Sequence, residues 1–99
     1  SAARRDDFTA VVALDADGAL LGFAAGWTDT VLTGGENAFE LAELVVVPGH
    51  QGRGIGRGLH DALLTAVKPG PALLMTLDVP ELTDRYARWG WAVADRRRP

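Results

Sequence analysis

The chain reads as a mixed α/β domain of order β-β-β-α-β-α-β, and three observations predict it. Short β-favouring runs bounded by Gly, Pro and Asp fill the first half. Two segments with apolar residues at 3.6-residue spacing lie in the second half, with a further apolar run between them. The 99 residues are 47% apolar and 23% charged with a net charge of −3, enough for one domain with a modest core and too few for two.

Each element follows from local pattern. Phe8 to Leu14 is a strand through Phe8, Val11, Val12 and Leu14. Asp15-Ala16-Asp17-Gly18 is a turn, and Leu20 to Trp27 returns as its antiparallel partner. Thr28 to Asn37 has no periodicity and reads as a loop. Phe39 to Val47 is the third strand, and its Leu44-Val45-Val46-Val47 run is that of a strand buried on both faces. Ile55, Leu59, Ala62, Leu63, Ala66 and Val67 form one helical stripe, closed by Lys68-Pro69-Gly70-Pro71. Ala72 to Leu77 is a fourth strand. Pro80 opens a second helix with Leu82, Tyr86 and Trp89 on one face, Arg85 and Arg88 near its C-terminus, and Gly90 at the left-handed cap. Trp91 to Ala94 is a short last strand.

Composition removes several function classes. The absence of cysteine excludes a disulfide scaffold, a Cys-based zinc module and a thiol nucleophile. Serine occurs only as Ser1, so no serine nucleophile is embedded in the domain. The acidic balance argues against a duplex-coating nucleic-acid binder, and Arg96-Arg97-Arg98 reads as a solvated tail. No apolar run reaches membrane-spanning length. His50 lies in a turn and His60 reads as surface beside Asp61; two histidines without cysteine make no metal site, so none is expected. No signal-peptide pattern follows Ser1, and the expected location is cytoplasmic.

The segment that carries chemistry is Val46-Val47-Pro48-Gly49-His50-Gln51-Gly52-Arg53-Gly54-Ile55-Gly56-Arg57-Gly58. A strand runs through a glycine-rich turn into a helix, and three helical glycines would cost about 2–3 kcal/mol. Close approach is one physical return for that cost. Free N–H groups at a helix start, with Arg53 and Arg57 beside them, suit a phosphate or pyrophosphate. Packing alone is the plain alternative. The dinucleotide pattern GxGxxG fails, because positions 57 and 59 are Arg57 and Leu59. The phosphate loop GxxxxGK[ST] is absent, the one lysine being Lys68.

What stands is Q-x-x-G-x-G from Gln51 to Gly56 after Val46 and Pro48, followed 30 residues on by Tyr86-Ala87-Arg88-Trp89-Gly90-Trp91. In these two motifs the chain resembles the GNAT superfamily of acetyl-CoA-dependent N-acetyltransferases, with their [R/Q]-x-x-G-x-[G/A] loop and Y-x-x-x-G-[F/W] signature. The resemblance implies the GNAT-like acyltransferase fold and direct acetyl transfer from acetyl-CoA to a primary amine of a small molecule or peptide. It places the pantetheine arm along Leu44, Val45 and Val46, and the pyrophosphate on the loop of Gln51, Gly52, Arg53, Gly54, Ile55, Gly56 and Arg57. It makes Tyr86 the acid that protonates the departing thiolate, although Tyr86 also fits as a half-buried aromatic on its stripe. Glu43 is the best candidate base if burial raises its pKa, and a solvated strand edge is the alternative.

The pattern departs from the family in two respects. Val79 stands where many members carry an Asn that contacts the cofactor. Residues 1–99 cover only the middle of such a domain, without the N-terminal strand and helices that wall the amine pocket and without the last hairpin. One incomplete domain is therefore expected, and a non-catalytic acyl-CoA-binding or dimerisation module is the alternative function. Uncovered strand edges and three tryptophans predict a homodimer. The net negative charge favours cationic amines.

Overall fold

A computed structural model describes residues 8–29, 38–67, 70–76 and 79–92. Strand β1 (Thr9–Leu14) and strand β2 (Leu20–Asp29) pair antiparallel across the Asp15 turn. The Asp15 carboxylate accepts from the N–H of Asp17 at 2.8 Å and of Ala19 at 2.9 Å, which closes the turn. Strand β3 (Ala38–Val46) pairs antiparallel with β2, and β4 (Ala72–Leu74) pairs parallel with β3, giving a four-stranded sheet in sequence order. The parallel pair requires a crossover, supplied by helix α1 (Ile55–Ala66). Helix α2 (Pro80–Arg88) follows β4.

The core forms where α1 lies on one face of the sheet. Leu59 and Leu63 of α1 meet Ala24, Phe39 and Leu41, with Val11, Ala13, Leu44 and Val46 partly buried around them. Small residues along the middle of β2 (Gly22, Ala24, Ala25, Gly26) let helix and neighbouring strands approach closely. The opposite face carries Val12, Leu14 and Val45 in the open, with Phe8 and Leu20 beside them.

The sequence-based expectations hold for the order of the first six elements and shift at their edges. β2 runs through Thr28 and Asp29, which were expected in the loop, because Phe39 and Ala38 pair with them. Residues 30–37 of that loop lie outside the described residues. β3 is not buried on both faces: Val45 is 41% exposed, because α1 covers one side only. β4 stops at Leu74, three residues short of the expected end; Met75 and Thr76 are described and not in the strand, and Leu77 lies outside the described residues. On α1, Ala62 and Ala66 are exposed and His60 is buried, so the inward stripe is rotated toward His60. Trp91 and Ala92 are not in a strand, while Val93, Ala94 and the terminal arginines lie outside the described residues, as do Lys68 and Pro69.

α2 begins as expected, with Pro80 in its first turn and an acidic Glu81 near the positive dipole end. Its end is a Schellman cap: Gly90 has φ +104°, its N–H donates to Ala87 C=O at 3.1 Å, and Trp91 N–H donates to Tyr86 C=O at 3.0 Å. No described strand or helix comes within 8 Å of α2, Cα to Cα, so side chains alone bridge it to α1.

Candidate active site

The turn between β3 and α1 is built by glycines whose backbone no other residue adopts easily. Gly49, Gly52 and Gly54 have φ of +92°, +81° and +82°, and Gly54 is the residue that precedes α1. Gly52 and Gly54 flank Arg53, so left-handed residues alternate with a negative-φ one over this stretch, the pattern from which anion-binding nests are built. The first helical bond runs from Gly58 N–H to Gly54 C=O at 3.0 Å, so the N–H groups of Ile55, Gly56 and Arg57 have no intrahelical partner. No acidic residue occupies the first turn. Packing does not account for these glycines: a Cβ on Gly52, Gly54 or Gly58 would meet nothing within 4 Å, and one on Gly56 would make ordinary contacts. Because Gly54 caps the helix rather than sitting inside it, the interior glycine cost falls to about 2 kcal/mol.

Side chains around the turn divide into braces and free charge. The Gln51 amide donates to Val46 C=O at 3.3 Å and ties the loop to the strand end. Arg53 is exposed and lies 3.5 Å from His50 Nδ1. Arg57 turns back along the helix to Asp61 at 3.3 Å, its guanidinium 5.7 Å from the centre of the Trp89 ring. Of the two expected cations, Arg53 is thus the one without an ion-pair partner among the described residues.

The sheet opens next to this turn. β4 pairs with β3 only from Phe39 to Leu41, whereas β3 continues through Leu44, Val45 and Val46. Opposite β2, Ala25 pairs with Glu43 and Gly26 with Leu41, so Ala42 is an extra residue that bends β3 at the point where β4 leaves it. Among the described residues no strand pairs with that edge beyond the bend, and apart from the Gln51 bond to Val46 C=O it suits an extended ligand.

The two expected catalytic side chains have different surroundings. Tyr86 is half-buried, its ring edge-on to Trp89 at 5.3 Å, and burial pushes its phenol above the ordinary value against a smaller opposing effect of Arg85. Glu43 stands on β3 beside the bend and is exposed, so the burial on which its role as a base depended is not present and it takes the solvated position given as the alternative. The reason is that no described element covers the outer face of the sheet.

Sequence reasoning missed one side chain. His60 was expected at the surface and is 2% exposed. It packs against Trp89 and Trp91, with ring centroids 4.9 and 5.9 Å away. The Leu59-His60-Leu63 spacing, one face of a helix, held the signal, but a histidine beside Asp61 looks solvated in one dimension. Among the described residues no three His, Asp or Glu side chains gather as a metal site, and no helix is long and apolar enough to cross a membrane.

Comparison with known proteins agrees with this geometry. The fold is shared with an assigned acetyl transferase from Pyrococcus furiosus, at 20% identity and TM-score 0.81 over 94% of this chain and 64% of that one. It is shared with glucosamine-6-phosphate N-acetyltransferase from Arabidopsis thaliana, at 15% identity and TM-score 0.76 over 95% and 66%. A ribosomal-protein-alanine N-acetyltransferase from Brucella melitensis matches at 25% identity and TM-score 0.64 over 95% and 73%. The chain thus spans somewhat less than two thirds of the length of the Pyrococcus protein. No curated protein sequence matches it. The family model for acetyltransferases of the GNAT family matches residues 2–88, which include the glycine turn, the bent strand and Tyr86, and the chain belongs to that family.

Proposed function

We propose that this chain transfers an acetyl group from acetyl-CoA to a primary amine of a small molecule or peptide. The observation that carries the reading is the turn before α1, a run of left-handed glycines opening onto unbonded helix N–H groups with Arg53 alongside. A pyrophosphate is the anion that this cradle suits. The β3 edge beyond β4, which among the described residues pairs with no strand and carries the Gln51 bond only at Val46 C=O, suits the amide-bearing pantetheine arm along Leu44, Val45 and Val46. Structures of similar fold named for acetylation of glucosamine 6-phosphate and of a ribosomal protein's alanine support an amine acceptor.

The chemistry is one addition and one elimination. The neutral amine nitrogen attacks the thioester carbon, and a β3 backbone N–H near Val46 stabilises the oxyanion. As the carbonyl re-forms, the C–S bond breaks and the thiolate takes the Tyr86 phenolic proton. The proton lost by the amine goes to Glu43 directly or through water, and solvent returns it to Tyr86. Products are the acetylated amine and CoA thiol. The raised phenol pKa keeps Tyr86 protonated, so the alkaline limb of kcat belongs above the ordinary value of 10.0.

The exposed apolar residues Phe8, Val12, Leu14 and Leu20 lie on or beside the edge strand β1, and they support self-association into a homodimer. Acetyl-CoA calorimetry followed by turnover with a panel of amines tests the function, and turnover of a primary amine is expected. Binding without turnover would make the chain an acyl-CoA-binding module, and no binding would remove the reading. A sedimentation run is expected to show dimers at micromolar concentration.

A further inference from the structure

We propose that His60 is a positioning residue that sets where Tyr86 stands relative to α1, an inference resting on Tyr86 as the acid in the reading above. The bonding of the imidazole is complete and directional. Trp91 Nε1 is 2.7 Å from His60 Nε2, and an indole N–H only donates, so Nε2 must accept. His60 Nδ1 is 2.8 Å from the Asp61 carboxylate, which only accepts when ionised, so Nδ1 carries the hydrogen. The two contacts fix one neutral tautomer and one ring orientation. Asp61 is suited to its part: the bond from His60, with Arg57 alongside, holds its carboxyl below the ordinary range.

The ring reaches Tyr86 by two routes. Trp91, held by its indole on His60, donates its backbone N–H to the Tyr86 carbonyl at 3.0 Å. Trp89 lies against His60 at 4.9 Å on one side and against Tyr86 at 5.3 Å on the other, with Arg57 over its face. No other described element approaches α2 within 8 Å, Cα to Cα, and among the described residues this aromatic cluster links the helix of Tyr86 to the helix of the proposed pyrophosphate cradle. An apolar residue would fill the same volume on α1. Only a side chain with an acceptor toward Trp91 and a donor toward Asp61 also fixes the rotation of Trp91, and through it the position of Tyr86 relative to α1.

The test compares His60→Leu, His60→Gln, Tyr86→Phe and the His60→Leu/Tyr86→Phe double variant. His60→Leu keeps an apolar filling and is expected to lower kcat about 10-fold or more through misplacement, with KM for acetyl-CoA within about 2-fold. Gln can accept from Trp91 through its amide oxygen and is expected to restore part of the loss. In the Tyr86→Phe background His60→Leu should cost nothing more in kcat, because it acts through the hydroxyl already removed. A readout without turnover runs alongside: the Trp91 indole N–H and Tyr86 ring resonances in NMR spectra should both move in His60→Leu. Unmoved Tyr86 resonances, an unchanged kcat, or equal loss in both backgrounds would overturn the positioning role while leaving Tyr86 as the acid. Full turnover in Tyr86→Phe would instead overturn the acid assignment, and this inference with it.

Discussion

Gly26 and Gly54 are the same residue held for opposite reasons. At Gly26, inside β2, an added Cβ would run into the Glu40 carbonyl and the Phe39 ring. At Gly54, ahead of α1, a Cβ would meet nothing within 4 Å, yet φ is +82°. The first glycine is an absence of atoms required by packing. The second is a backbone conformation kept where no packing asks for it, in the segment where free N–H groups gather. A glycine that protein atoms crowd explains itself by packing. Left-handed glycines in open space also close the Asp15 turn at Gly18 and cap α2 at Gly90, and what sets Gly54 apart is the helix start with unbonded N–H groups that follows it.

The largest effect is expected at the crowded position. Gly26→Val places branched carbon against backbone that cannot swing aside, and should cost at least about 3 kcal/mol, the upper range for overpacking. For a chain of this size that is a fall in Tm of about 12–24 °C. Thermal unfolding followed by circular dichroism checks it, and a cost below about 1 kcal/mol would mean that β3 moves away easily and the contrast with Gly54 is lost.

Gly54→Val comes next. No clash threatens it, since the space is empty; the penalty is the left-handed backbone, about 1–3 kcal/mol for a residue with a side chain. The turn relieves that strain by changing shape, and the N–H groups of Ile55, Gly56 and Arg57 lose their common direction. CoA binding should vanish in calorimetry while the β1–β2–β3 sheet signal persists. A variant that binds CoA as the parent does would move the cofactor elsewhere on the chain.

Much of this contrast was legible in the sequence, and the limit is physical. Strand alternation and the glycine turn are local patterns, so β1, β2, α1 and the cradle could be read from neighbours a few residues apart. Gln51 to Gly56 and Tyr86 to Trp91 were legible as motifs. Burial across the fold was not. Val45 is exposed because nothing described covers the outer sheet face, and Glu43 shares that fate. His60 is buried because Trp91, 31 residues away, folds back onto it, and no window along the chain contains both. The register slip at Ala42 likewise depends on how β2 meets β3.

The smallest expected effect sharpens the comparison most, because it asks which way a side chain points within the cradle itself. Gly56 lies in the first turn of α1 with ordinary helical φ, and its missing Cβ would face inward, 3.6 Å from Val46 Cγ2 and 3.9 Å from Trp89 Cη2. Those are van der Waals contacts that a methyl group satisfies without displacement. The N–H of Gly56, like the others of the first turn, runs along the helix axis toward the N-terminus and has no intrahelical partner. Gly56→Ala should therefore add stability, about 0.5–1 kcal/mol from reduced freedom of the unfolded chain, which is a rise in Tm of roughly 2–8 °C. CoA affinity should stay within about threefold of the parent, below the tenfold that 1.4 kcal/mol represents. Paired measurement of Tm and CoA affinity on Gly56→Ala and Gly54→Val separates the two requirements of the turn, a backbone shape at Gly54 and a free N–H at Gly56. A large affinity loss in Gly56→Ala with raised Tm would show that the ligand lies along the Val46–Trp89 side of α1 instead.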